Sequence, residues 1–173
     1  MGTKKGMEKA RNKGKRWERQ FSRELSLWWS EGKDPDIFRR AFGSRATVDA
    51  DSQARDIMAV KEEGYNFTSR YDVELKNCKI DLWREFLKGE KALIYIWREY
   101  AEKEKKGSKQ IILVIKGSMK GSLVVLGEVM YQTLLSFFGN KFSEILLKWR
   151  VSGDDWLFIF PWEEWKKLDP RLF

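Results

Sequence analysis

The sequence predicts an α/β (α+β) protein, with one mixed β-sheet core flanked by helices. Three observations point there. A helix-period apolar stripe lies near the N-terminus, short β-rich runs follow, and the last third alternates helix-like segments with apolar strands. At 173 residues and 42% hydrophobic content the chain can bury one core of ordinary size. An aromatic content of 14%, with nine tryptophans, argues against disorder of the whole.

Residues 1–12 are rich in Lys and Gly without periodicity and read as a flexible basic arm, with 13–173 as a single domain. A helix is expected over about 13–31, where Trp17, Phe21, Leu25 and Trp28 recur on one face. Gly32, Asp34 and Pro35 close it. Residues 36–43 form a candidate strand, and 44–53 a polar loop. Strands are expected at 55–60 and 71–77, with Gly64-Tyr65-Asn66 as turn material between them. A long helix over 81–105 precedes strands at 110–116 and 122–126, the first apolar enough to be central. A helix near 128–148, a strand over 156–160 and a short helix after Pro161 complete the order. The aromatic tail (Trp149, Trp156, Phe158, Phe160, Trp162, Trp165) fits a core or a subunit interface better than a base-stacking surface.

The formal net charge of +8 calls for a polyanionic partner, nucleic acid first and an anionic membrane surface second. Residues 1–23 hold nine basic side chains, Lys13, Lys15, Arg16 and Arg19 among them, against Glu8 and Glu18. Such a cluster suits a phosphate backbone, where it releases counterions. The single cysteine, Cys78, rules out an internal disulfide and fits a reducing compartment. With no apolar run of membrane-spanning length and no apolar leader, a soluble chain in the cytoplasm (a host's, if viral) is expected, with no membrane partner. There is no histidine, which excludes Ser-His-Asp triads, HExxH zinc sites and zinc deaminases together. Hydrolysis here must run on carboxylates, lysines and a hard metal ion.

One set of residues fits that description. Asp56 opens the apolar run Ile57-Met58-Ala59-Val60, and Glu74 and Lys76 stand two apart in Tyr71-Asp72-Val73-Glu74-Leu75-Lys76-Asn77. On a strand, positions two apart share a face, so Glu74 and Lys76 lie together while Val73 and Leu75 face away. Carboxylate oxygens suit octahedral Mg²⁺, which polarises a phosphate and acidifies a bound water. A nearby ammonium orients that water or offsets charge in the transition state. The ordinary alternative is a surface Glu–Lys pair of little consequence. Glu18 adds weight, because at about 100° per residue it falls within the apolar arc of the first helix, between Leu25 and Trp29. Burying it alone would be costly, so a partner is required: a metal, Lys76, the neighbourhood of Arg19 or an ordinary ion pair.

A helix with Glu, then Asp on a strand, then Glu-x-Lys on the next resembles the PD-(D/E)xK superfamily of restriction-endonuclease-like nucleases. Within it, the chain is most similar to the archaeal and phage Holliday junction resolvases. Lys13-Gly14…Glu18-Arg19 and Phe42-Gly43-Ser44-Arg45 echo their motifs, and the likeness covers roughly 13–116. The resemblance implies a restriction-endonuclease-like fold and metal ligation by Asp56, Glu74 and the Leu75 backbone carbonyl. It implies a catalytic Lys76, a supporting Glu18, phosphate contacts from Arg19 and Ser44 with Arg45 beside it, and a homodimer that nicks a four-way DNA junction. Mn²⁺ is the expected substitute for Mg²⁺. Arg55 replaces the nominal Pro before Asp56, and the long loop leaves Ser52 as an alternative to Ser44. Another DNA nuclease on the same site, or a non-catalytic nucleic-acid-binding module, remain the competing readings.

Overall fold

The computed structural model describes residues 4–41, 56–77, 97, 109–116, 121–139, 147–152 and 155–173. The chain forms two compact units, Met1–Ser69 and Arg70–Phe173.

In the first unit, helix α1 runs Lys4–Trp29. It begins earlier than the expected 13, because Lys, Met, Glu, Ala and Arg in the basic segment are good helix formers. Its stripe behaves as the spacing requires: Trp17, Phe21, Leu25 and Trp28 are all buried. Strands β1 (Phe38–Arg40) and β2 (Ile57–Ala59) pair antiparallel. Ser26 ties β1 to α1. Its hydroxyl accepts from the Phe38 amide at 2.8 Å and donates to the Ser22 carbonyl at 2.8 Å.

The expected turn at Gly64-Tyr65-Asn66 is instead a 3₁₀ turn, Glu62–Gly64, running into helix α2, Tyr65–Arg70. The physical reason is packing. Gly64 lies so close to β1 and β2 that a Cβ there would stand 2.8 Å from Ile37 Cγ2 and 2.9 Å from the Phe38 ring. The helix then drops Phe67 into a cluster with Trp28, Trp29 and Phe38.

The second unit is a five-stranded mixed sheet in the order β3-β4-β5-β7-β6. Its strands are β3 (Tyr71–Asn77), β4 (Gln110–Lys116), β5 (Ser122–Gly127), β6 (Leu147–Ser152) and β7 (Asp155–Pro161). β3 and β4 are parallel, and the remaining pairs antiparallel. Between β5 and β6 lies helix α3, Glu128–Phe138, and after β7 the short helix α4, Trp162–Trp165. β3 and β4 match the expected spans.

The helix expected over 128–148 is a correction. It stops at Gly139, whose φ of 56° suits glycine, and Leu147-Lys148 belong to β6, where successive residues pair antiparallel with β7. The helix expected at 81–105 lies outside the described residues except for Trp97, which is helical and buried.

Both sheet faces are apolar. One carries Ile111, Leu113, Ile115, Val125, Leu157 and Ile159 in a cluster with Trp97. On the other, Tyr131 of α3 stacks on Phe158, with centroids 3.7 Å apart and planes 8° from parallel. Phe173 meets Tyr71 and Trp165 there as well. Phe158, Phe160, Trp162 and Trp165 are therefore core, as the tail's pattern suggests, while Trp149 and Trp156 remain partly exposed. The architecture is an α+β one of restriction-endonuclease-like type, a mixed sheet flanked by helices. Among the described residues, no helix is long and apolar enough to cross a membrane.

Candidate active site

Each unit carries its own group of polar side chains. In the first, Glu18 sits on the flank of the α1 stripe with its side chain 20% exposed, and its carboxylate pairs with the Arg40 guanidinium. Arg40 ends β1 in register with Ile57, and one step further the Ala41 amide donates to the Asp56 carbonyl at 2.8 Å. Asp56 is half-buried and immediately precedes β2. The ladder thus places the Glu18–Arg40 pair one residue from the strand end that carries Asp56. Strand alternation does not govern the Asp56 side chain, since it precedes the strand.

This answers part of the question that Glu18 raises. Its partner is Arg40, which sequence reasoning passed over. The signal was present, because Arg40 shares strand parity with buried Phe38, whereas Arg39 alternates outward and is exposed. An arginine on the inward parity of a short strand requires an acceptor.

In the second unit, β3 alternates as its sequence implies. Tyr71, Val73 and Leu75 lie on one face, and Asp72, Glu74 and Lys76 on the other. Glu74 is only 6% exposed, while Asp72 and Lys76 are half-buried. Following the register from Glu74 gives Leu113, Val125 and Ile159, a row of buried apolar side chains across to β7. Lys76 similarly stands beside Ile115 and Leu123. A carboxylate and an ammonium thus interrupt an apolar face at its margin. Asp72 is a second residue that the sequence reading omitted, and the same two-residue spacing would have found it.

Of the remaining candidates, Lys13, Arg16 and Arg19 are exposed on α1 and Lys15 is half-exposed there. That is the disposition a phosphate-contacting helix face needs. Leu75 is buried on the opposite face of β3 from Glu74. Ser44, Arg45 and the alternative Ser52 lie outside the described residues.

Burial raises the Tyr71 phenol above its ordinary value, and a hydrogen bond from Lys61 holds the exposed Asp34 carboxyl below its own. Among the described residues, no three carboxylate, thiolate or imidazole groups gather as metal ligands.

The family model described as "Phage putative PDDEXK endonuclease" matches residues 9–173. The match runs through the described C-terminal strands as well as the Glu-x-Lys segment, well beyond the span the motifs alone cover. No curated protein and no solved structure matches the chain.

Proposed function

Since the chain belongs to the phage PDDEXK endonuclease family, we propose that it is a Mg²⁺-dependent DNA endonuclease that resolves four-way junctions as a homodimer. Asp56, Glu74 and Lys76 are its catalytic residues. The observation that carries the reading is Glu74, a carboxylate 6% exposed on an apolar sheet face and sharing that face with Lys76. A buried carboxylate is expensive unless cations or donors offset it, and structural economy alone would favour an apolar residue there.

The donor set fits a hard divalent ion. The Asp56 and Glu74 carboxylates and the Leu75 carbonyl supply oxygen only, which suits Mg²⁺, with Mn²⁺ as substitute. With no histidine in the chain, a softer imidazole-based site is ruled out. The chemistry such an ion supplies is polarisation of the phosphate and a lowered pKa for water. Lys76 holds the attacking water in line or offsets charge gathering on the phosphate oxygens. Glu18 acts as a positioning residue, fixing the Arg40 guanidinium beside the strand end that bears Asp56. Lys13, Lys15, Arg16 and Arg19 on α1, with Arg45 and either Ser44 or Ser52, contact the DNA backbone.

Support for a junction substrate comes from Lys13-Gly14…Glu18-Arg19 and Gly43-Ser44, the segments that resemble the resolvases. A two-fold dimer would offer one centre to each of two opposed strands. The test is incubation of the folded protein and Mg²⁺ with labelled four-way junction, plain duplex and single strand. Paired nicks in the junction are expected. Cutting confined to plain duplex would remove the junction assignment and leave a nuclease. No cutting of any DNA would remove the nuclease reading.

A further inference from the structure

The opposite edge of the five-stranded sheet carries chemistry that the proposed catalytic residues do not use. β6 closes the sheet at the end away from β3. Four strand spacings separate them, about 19 Å. Lys148 and Arg150 stand two apart on β6, and both are exposed. Their register partners on β7 are Phe158 and Trp156. Lys148 Nζ lies 4.4 Å from the centroid of the Trp156 ring and 5.3 Å from that of Phe158. The Arg150 guanidinium carbon lies 5.8 Å from the Trp156 centroid. Phe158 is itself stacked on Tyr131, so one of the two rings beneath Lys148 is braced from below.

The register also shows which way this group faces. The row from Glu74 ends on Leu147, so Lys148, next along β6, belongs to the other face of the sheet. The cations are therefore separated from Glu74 and Lys76 both by the width of the sheet and by its thickness.

We propose that Lys148 and Arg150, seated on Trp156, form a second DNA contact that takes the phosphate backbone of DNA leaving the catalytic face. The inference rests on the nuclease reading above. Two cations laid over one indole are partly ordered before any ligand arrives, so less side-chain freedom is lost when a phosphate binds. Both side chains are exposed on the strand that ends the sheet. Because the cations cover the Trp156 ring, the feature they recognise is the backbone anion rather than a stacked base. The net charge of +8 supplies the long-range attraction that brings such a polyanion in. DNA held at the β3 edge must bend or branch to reach this face, which is what the arms of a junction do.

Two other uses of the same cations give a different result in the test. An acidic protein segment would bind them without DNA, and charged residues on an edge strand can merely block strand addition. The experiment measures affinity for a fluorescent four-way junction against salt concentration, with metal chelated so that no strand is cut. Wild type is compared with K148Q/R150Q and with the charge-retaining K148R/R150K.

Each lost phosphate contact lowers the slope of log affinity on log salt by about 0.9, so K148Q/R150Q is expected to lose about 1.8. K148R/R150K should keep the wild-type slope. If thermal melting shows that the double variant misfolds, K148Q alone should lower the slope by about 0.9. An unchanged slope in a folded variant overturns the proposal and leaves the nuclease reading standing. Wild-type protein that binds no DNA at any salt would overturn that reading as well.

Discussion

The two edges of the C-terminal sheet treat charge in opposite ways. On β3, Glu74 is buried and its row continues through Leu113, Val125 and Ile159, so a charged residue stands at the margin of an apolar face. On β6, Lys148 and Arg150 stay exposed and rest on Trp156, keeping their hydration while covering an aromatic ring. The second arrangement costs little and is compatible with many uses. The first is costly, and a chain retains it only where the charge does chemistry or answers another charge. Burial of a charge, rather than its presence, separates the candidate catalytic edge from a binding edge.

The effects of substitution should follow that gradient of burial. The largest are expected at the two carboxylates proposed to hold the metal. Glu74→Gln and Asp56→Asn should each reduce single-turnover DNA cleavage by several orders of magnitude, because an amide neither carries the charge nor binds a hard ion as a carboxylate does. DNA affinity should hold or rise, since a negative charge facing phosphate is removed. Near-normal cleavage by Glu74→Gln would break the comparison and make Glu74 a structural group.

The half-buried Glu18–Arg40 pair comes next. By analogy with groups that orient metal ligands, Glu18→Gln should slow cleavage about 10- to 100-fold. Arg40→Lys should recover part of the loss caused by Arg40→Ala. A change in melting temperature with no change in cleavage rate would reduce the pair to packing.

Ser26 is buried but neutral. Ser26→Ala leaves the Phe38 amide without its hydroxyl acceptor and should cost about 1–3 kcal/mol in urea unfolding, with cleavage by the folded fraction unaltered.

The smallest effect belongs to the exposed Asp34–Lys61 pair. Lys61 lowers the Asp34 pKa, so any stability the pair adds is present above the unfolded carboxylate value and lost as pH falls through the lower folded one. Lys61→Ala should flatten that acidic limb slightly in a pH series of melts. A large change would mean that exposure is a poor guide to consequence in this protein.

Where one physical rule dominated, the sequence was legible. The α1 stripe, the alternating β3 and the apolar β4 follow from periodicity alone, and all three stand at the expected positions. The Glu74–Lys76 face follows from the same alternation. What escaped depended on tertiary contacts. The segment 147–152 has few residues and mixed polarity, and only its pairing with β7 makes it a strand rather than the end of a helix. Gly64 reads locally as a turn, but its closeness to Ile37 and Phe38 sets it under a helix. The partner of Glu18 lies 22 positions away on another element, and no spacing rule within the helix can reach it. Asp72 is a different kind of omission, a residue whose place on the polar face the two-residue period already implied.

The proposed catalytic centre requires that Asp56, Glu74 and the Leu75 carbonyl share one cation. Crystals soaked in Mn²⁺ and measured near the manganese absorption edge would show it. The expected result is one strong anomalous peak within coordinating distance of both carboxylates and that carbonyl, absent from Glu74→Gln crystals. Manganese bound elsewhere, or a peak indifferent to Glu74→Gln, would contradict the catalytic assignment.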